Sequence, residues 1–354
     1  MKRIGILYDK DSKKTFLLPR EVKALTEKGI TVNIASGAGN CINVSDSAYI
    51  SAGANICQQW QTVIANSDIL LKTNAFSKSE LKLMKKKIAI TMVNYLANVE
   101  MLYYMLENQV TGLEWAALAD RSNYVLFGQL EETKVPLIMN YLQHAISKGL
   151  SKSKKDLVVY PKDPSILILN ATFAGVALAE KAAALGWKVT IADNDAKYLA
   201  SLKKTKTLKD IECVDAGYET INYKFKTQNI FVNTVIDPLD LTKTRITKEM
   251  AKSMPKGSLL IDAACENGYA FQFVKKFADK QPKWNKFEKS FYLAHECLTD
   301  LVGQQASEII SNKSLKYLLN VVEQGTDNAV IWKITNCQDG KVVNAAINAK
   351  LRLY

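Results

Sequence analysis

Residues 166–195 limit what this chain can fold into more than any other stretch. Ile166-Leu167-Ile168-Leu169 is a short apolar run, Asn170-Ala171-Thr172-Phe173-Ala174 reads as a turn, and a small-residue helix is expected from Gly175 to Leu185. A second apolar run, 189–192, ends on Asp193. Strand, turn, helix and strand in this order form a βαβ unit, whose parallel strands are buried on both faces. The turn of a dinucleotide-binding unit reads G-x-G-x-x-G. Its first glycine makes the tight turn, the second admits a pyrophosphate to bare backbone, and the third lets helix pack on strand. Here those positions carry Asn170, Thr172 and Gly175. Asparagine tolerates the positive φ that the first position asks for. Thr172 sets a β-branched side chain at the second, and only the third keeps its glycine. Asp193, with Asn194 after it, stands where an acid accepts ribose hydroxyls and repels a 2′-phosphate. The pattern therefore favours NAD over NADP.

A chain of 354 residues is long enough for two domains with separate cores. Its 48% hydrophobic and 23% charged content suits a globular protein. The formal net charge of +12 comes from lysines spread over helical faces and loops, as in 85–87 and 203–209. They are not interleaved with aromatics, so no nucleic-acid partner is expected. Six cysteines without C-x-x-C spacing, and only two histidines (His144 and His295), speak against a metal centre. No apolar run approaches the ~18 residues of a membrane-spanning helix. Residues 1–8 read as a first strand and not as an export signal, so a cytoplasmic location with reduced thiols is expected.

The N-terminal third alternates strand and helix. Strands are expected over 4–7, 31–35, 69–72, 88–92 and 111–114, and helices over 19–28, 46–52, 78–86 and 98–107. Pro19 sits in a first helical turn, where its missing N–H costs nothing, and Gly29 stops that helix. A long helix is expected over 131–148. A second strand–helix series starts at Ser165 and includes the apolar runs Ile230–Asn233 and Leu259–Asp262. Another long helix is expected over 311–324, followed by a short tail. Two long helices bracketing the nucleotide unit imply a discontinuous layout. The expected fold class is α/β, with two Rossmann-like domains, one inserted in the other. Residues 1–128 plus 306–354 would form a substrate domain, and 129–305 a dinucleotide-binding domain.

Several blocks follow one another along the chain: K-T-F-L-L-P at 14–19; G-A-G at 37–39, S-D-S-A-Y at 45–49 and A-G-A at 52–54; D-I-L-L-K at 68–72; I-T-K-E-M at 246–250; and K-G-S-L-L-I-D at 256–262. In this order they resemble the alanine dehydrogenase and pyridine nucleotide transhydrogenase superfamily. L-E-W at 113–115, F-G at 127–128 and A-S-E at 306–308 are similar to its lysine-forming saccharopine dehydrogenase branch. K-T-N-A at 72–75 and E-N-G at 266–268 are similar to the nucleotide-binding subunits of transhydrogenases.

The resemblance implies NAD as cofactor, an amino acid or opine-type secondary amine with its 2-oxo acid as substrate, and a homo-oligomer. Such chemistry needs a proton donor or acceptor beside the reacting carbon and cations for the substrate carboxylate. In alanine dehydrogenases a lysine follows the D-x-I-L-K strand by two positions and a histidine ends the next strand. Here those places carry Asn74 and Asn94, and an amide cannot shuttle a proton near neutral pH. The arginine of the first motif appears as Lys14, which keeps the charge and loses the bidentate fork. The roles so implied are proton handling by Lys72, Glu114 and Glu266, and substrate binding by Lys14, Asn74, Asn94 and Arg121. Asn170, Thr172, Gly175, Asp193 and Asn194 would bind the cofactor. Glu114 has an apolar context beside Trp115, which favours a raised pKa. The changes at Asn74, Asn94, Asn170 and Thr172 keep two other readings open. One is a catalytically degenerate member that binds a ligand or a protein; the other is a soluble transhydrogenase-type NAD-binding subunit.

Overall fold

Apolar runs of three to five residues form the parallel strands here, because helices on both sheet faces leave no solvent side to alternate toward. The computed structural model describes residues 3–8, 12–120, 123–150, 160–161, 163–234, 246–264, 270–274, 282–295 and 297–351. The chain divides into two units, Met1–Leu130 with Thr299–Tyr354, and Glu131–Leu298.

The first unit opens with β1 (Ile4–Ile6), α1 (Pro19–Thr26), β2 (Val32–Ala35), α2 (Asp46–Ser51), β3 (Asn55–Cys57) and α3 (Trp60–Ala65). It continues with β4 (Ile69–Lys72), α4 (Lys78–Leu83), β5 (Ile88–Thr91), α5 (Val99–Glu107) and β6 (Thr111–Glu114). A two-stranded ribbon, β7 (Ala119–Asp120) and β8 (Asn123–Tyr124), precedes α6 (Phe127–Lys148). The second unit holds β9 (Ser165–Leu169), α7 (Phe173–Ala184), β10 (Lys188–Asp193), α8 (Ala196–Leu202), β11 (Glu212–Asp215) and α9 (Tyr218–Phe225). After these come β12 (Ile230–Asn233), α10 (Lys248–Ser253), β13 (Leu259–Asp262), β14 (Asn285–Phe287) and β15 (Ser290–Ala294). The chain then returns to the first unit with α11 (Gly303–Gln324), α12 (Ala329–Trp332), β16 (Thr335–Gln338), β17 (Lys341–Val342) and α13 (Ala345–Leu351).

The first sheet runs β17-β16-β6-β5-β4-β1-β2-β3, parallel from β6 to β3, with β16 antiparallel to β6 and to β17. The second runs β11-β10-β9-β12-β13-β15-β14, parallel except for the β14 edge. Each sheet therefore carries the doubly wound order 3-2-1-4-5. This order leaves a crevice at the carboxyl ends where the winding reverses, between β1 and β4 and between β9 and β12. The α/β class with two Rossmann-like units is as expected.

Three expectations need correction. The C-terminal long helix starts at Gly303, eight residues before 311, because its first turns bury the small residues Gly303, Ala306 and Ser307 and show no large apolar period. The nucleotide-unit helix begins at Phe173 with Thr172 as its cap, so Gly175 lies inside the first turn and does not start the helix. The short tail contains the β16–β17 hairpin, whose β16 reads Thr-Asn-Cys-Gln and lacks an apolar run, yet whose first three residues are buried.

Candidate functional site

Hydroxyls link the loops that follow β1 and β4 at the first crevice. Ser12, following β1, donates to the Lys14 carbonyl at 2.9 Å and accepts the Lys14 N–H at 3.2 Å. Its Oγ lies 3.1 Å from Thr73 Oγ1, following β4. This pairing sets the extended segment that carries Lys14. The far side of that segment is held by buried serines of α11: Ser307 Oγ accepts the Thr15 N–H at 3.0 Å and Ser311 Oγ accepts the Leu18 N–H at 2.8 Å. The Lys14 ammonium lies 2.8 Å from Asp300 and 3.1 Å from Thr299 Oγ1.

Lys72 ends β4 with its ammonium buried between the two oxygens of Glu80, at 2.8 and 3.0 Å. Glu80 also accepts the Ser77 N–H at 2.6 Å and completes the capping box of α4. Lys72 is thus tied to the start of the next helix. Asn74 is half-buried in the same loop, and its carbonyl accepts from Thr91 Oγ1 at 2.8 Å.

Glu114, at the end of β6, and Asn94, in the loop after β5, come together. Asn94 Nδ2 donates to Glu114 Oε1 at 3.3 Å, and the Tyr95 N–H and Asn336 Nδ2 donate to Oε2 at 3.4 and 2.8 Å. Burial pushes the Glu114 carboxyl above its ordinary range, while the Asn336, Tyr95 and Asn94 donors pull it back. A carboxyl poised this way can exchange a proton nearer to neutral pH than a solvated one. Arg121 and Glu266 lie outside the described residues. His144 is exposed on α6. His295, after β15, is 9% exposed, and its Nδ1 accepts the Cys297 N–H at 3.2 Å.

In the second unit Asn170 adopts φ 71°, the conformation the first glycine would have supplied. The following amide, Ala171 N–H, donates to Asp193 Oδ2 at 2.8 Å, and the Asp195 N–H donates to Oδ1 at 2.9 Å. Thr172 caps α7 by accepting the Gly175 N–H at 3.1 Å, and it gives its own proton to Thr234 Oγ1 at 2.9 Å. Thr234, following β12, lies 2.9 Å from the Leu169 and Asn170 carbonyls. A Cβ on Gly175 would overlap the Asn170 carbonyl oxygen, which is the close helix–strand approach that keeps this glycine. A depression of about 300 Å³ opens at the carboxyl end of β10, between α8 and β11, lined by Asp193, Asn194, Leu199, Lys203, Cys213 and Asp215 among others.

Sequence reasoning named Glu114 and Asn94 separately, in different roles, and the structure brings the two together; Asn170, Thr172, Gly175 and Asp193, named there as one group, also lie together. It missed Thr234, Asp300 and Asn336. Asp339-Gly340, with φ 51° and 76°, was the available signal for the hairpin that delivers Asn336. Among the described residues no group of three or more His, Cys, Asp or Glu could hold a metal, and no helix is long and apolar enough to cross a membrane.

Comparison with known proteins places this architecture. The family description "Alanine dehydrogenase/PNT, N-terminal domain" matches residues 10–132, and "Alanine dehydrogenase/PNT, C-terminal domain" matches residues 159–345. An alanine dehydrogenase of Methanococcus maripaludis is 26% identical over 343 residues, covering 94% of this chain and 91% of that protein. Among solved structures, an L-alanine dehydrogenase superposes with a TM-score of 0.79 at 19% identity, covering 99% of both chains. A transhydrogenase from Sinorhizobium meliloti superposes at 0.74 with 20% identity, covering 96% of this chain and 99% of that one. Both solved structures share the fold of this chain. With the two family domains matched in order over most of its length, the chain belongs to the alanine dehydrogenase/PNT family.

Proposed function

We propose that this protein is an NAD-dependent oxidoreductase acting on an amino acid or an opine-type secondary amine. The observation that carries the reading is Glu114, a half-buried carboxyl with a raised pKa and amide donors on both oxygens, at the carboxyl edge of a doubly wound sheet. Glu114 would take the proton released as the amine carbon is oxidised to an imine. Asn94 would orient the reacting group, with Asn74 in the neighbouring loop. Lys14, less deeply buried than Lys72, would turn from Asp300 to hold the substrate carboxylate, with Arg121 and Glu266 in the supporting roles the family implies. We assign Lys72 to holding its loop instead of to proton transfer, since its ammonium is engaged by Glu80.

The nucleotide unit fits the adenosine end of NAD. The depression beside Asp193 offers room, and the Asp193 carboxylate favours free ribose hydroxyls over a 2′-phosphate. The fit to the pyrophosphate is narrower, because Asp193 engages the Ala171 amide and Thr172 engages the Gly175 amide. The Phe173 and Ala174 amides, in the first turn of α7, remain to meet it. NAD, when bound, supplies the hydride acceptor. Relatives named alanine dehydrogenase support an amino-acid substrate, and a homo-oligomer is part of the same reading.

The committed turn also favours a second reading, in which the unit is a ligand-binding module without turnover. Calorimetric titration with NADH and NADPH separates them. The oxidoreductase reading expects NADH to bind more tightly than NADPH, and no binding at millimolar cofactor would sink it. With binding established, 2-oxo acids are offered with ammonia, lysine or ornithine and loss of nicotinamide absorbance is followed. Silence over that panel would leave the binding module standing.

A further inference from the structure

Asn336 lies on β16, the strand that returns from the C-terminal segment to pair antiparallel with β6. Its Nδ2 donates to Glu114 Oε2 at 2.8 Å, while its Oδ1 accepts from Asn344 Nδ2, also at 2.8 Å. A primary amide has one donor face and one acceptor face, so the bond from Asn344 decides which face Asn336 turns to the carboxylate. Asn344 is fixed in turn. Its Oδ1 accepts the Ala346 and Ile347 N–H groups at 3.0 and 3.3 Å, capping α13, which leaves its nitrogen for Asn336. At 1% exposure, Asn336 has no solvent with which to exchange these partners.

We propose that Asn336, locked by Asn344, is a positioning residue that presents an N–H donor to Glu114 and keeps that carboxylate ready to accept a proton. The proposal rests on the assignment of Glu114 to proton handling. The titratable groups packed nearby are the Tyr95 phenol, from the loop after β5, and the Cys337 thiol on β16. Burial holds the phenol well above its ordinary value and pushes the thiol up to about 12, so both stay neutral near pH 7. No ammonium or guanidinium pairs with Glu114 among the described residues. Among the described residues amides answer its charge, and the Asn336 bond is the shortest of them.

Asn344→Asp tests the lock in the full-length chain. Aspartate keeps the capping oxygen and loses the donor, so Asn336 should turn its nitrogen to the new carboxylate and its oxygen to Glu114. An acceptor facing Glu114 favours the protonated form. With the glutamate side-chain carboxyls labelled with carbon-13, NMR titration reads the Glu114 midpoint directly, assigned by its loss in Glu114→Gln. The expected result is a roughly tenfold rise in proton affinity with an unchanged melting temperature. Asn336→Leu removes the donor outright, should shift the midpoint the same way, and serves if the first variant does not fold. An unmoved midpoint in either folded variant overturns the proposal, whether or not the protein turns over a substrate. The pH profile of kcat/KM should move with the NMR midpoint. A midpoint that moves while the profile stays would leave the lock intact and remove Glu114 from the chemistry, which is the failure of the functional assignment alone.

Discussion

Glu114 ties the site to the stability of the fold through one proton. Burial holds its folded-state pKa above the unfolded value of 4.5. The native chain therefore keeps this proton at a pH where the unfolded chain has released it. The contribution is full below the unfolded pKa and is lost as pH rises through the folded one. Glu114→Gln cannot ionise, and its mismatch with the surrounding donors does not vary with pH. The unfolding free energy of wild type minus variant should fall as pH climbs through that window and then level off. Urea titrations from roughly pH 4 to pH 8 read this difference, and a flat line would mean an unshifted carboxyl. Gly175 is decided by contact. A Cβ there meets the Asn170 carbonyl, so Gly175→Ala should cost about 1–3 kcal/mol by overpacking and weaken nucleotide binding together with melting temperature. That glycine and the positive φ of Asn170 were both legible in the sequence, since each follows from backbone geometry at one position. The engagement of Asp193 with Ala171, and of Thr172 with Thr234, was not. Those bonds depend on where side chains from a second strand arrive, and Thr234 stands 62 residues away from Thr172.

At the scale of elements, α11 acts through small polar residues. Ser307, Ser311 and Ser314 are fully buried on one face and take, in order, the Thr15 N–H, the Leu18 N–H and the Trp115 indole N–H. Ser311 also donates to Glu21 at 2.6 Å. An extended segment cannot satisfy its own amides, and this ladder supplies acceptors at the spacing of one helical face. Ser311→Ala would leave the Leu18 amide and a Glu21 oxygen buried without that partner, at a cost of about 1–3 kcal/mol. A lowered melting temperature with weaker binding of the substrate carboxylate is expected, because the same segment carries Lys14. Loss of stability without loss of binding would detach Lys14 from the site. The strands of both sheets were readable because apolar runs of this length suit a sheet covered on both faces. The first turns of α11 and the strand β16 were not, since their buried positions hold Gly, Ala, Ser, Thr and Asn. Periodicity registers hydrophobic burial and is blind to polar burial satisfied by a distant partner.

The molecule as a whole is built from a continuous unit and a discontinuous one, and the two should fold by different rules. Residues 127–298 contain every strand of the second sheet, with α6 as a whole helix at their start. Residues 1–130 contain only part of the first unit. Its core cluster draws Ala306, Ile310, Tyr317, Leu318, Val321, Ile331 and Ile334 from beyond residue 298 and packs them with Phe16, Leu17, Val22 and Trp115. Without that segment, β6 also loses its β16 partner, and Trp115 and Glu21 lose Ser314 and Ser311. Six of these seven side chains are larger than alanine, and at about 1.5–3 kcal/mol each their burial is comparable to the ~5–15 kcal/mol by which a domain is normally stable. Residues 127–298 expressed alone should therefore give a cooperative urea transition and bind NADH with the affinity of the intact chain. Residues 1–130 alone should not, and adding residues 299–354 in trans or through a short linker should restore their transition. A cooperative transition for 1–130 by itself would show that the returning segment decorates this unit, and Asn336 would then be an accessory to Glu114 and not part of the frame that holds it.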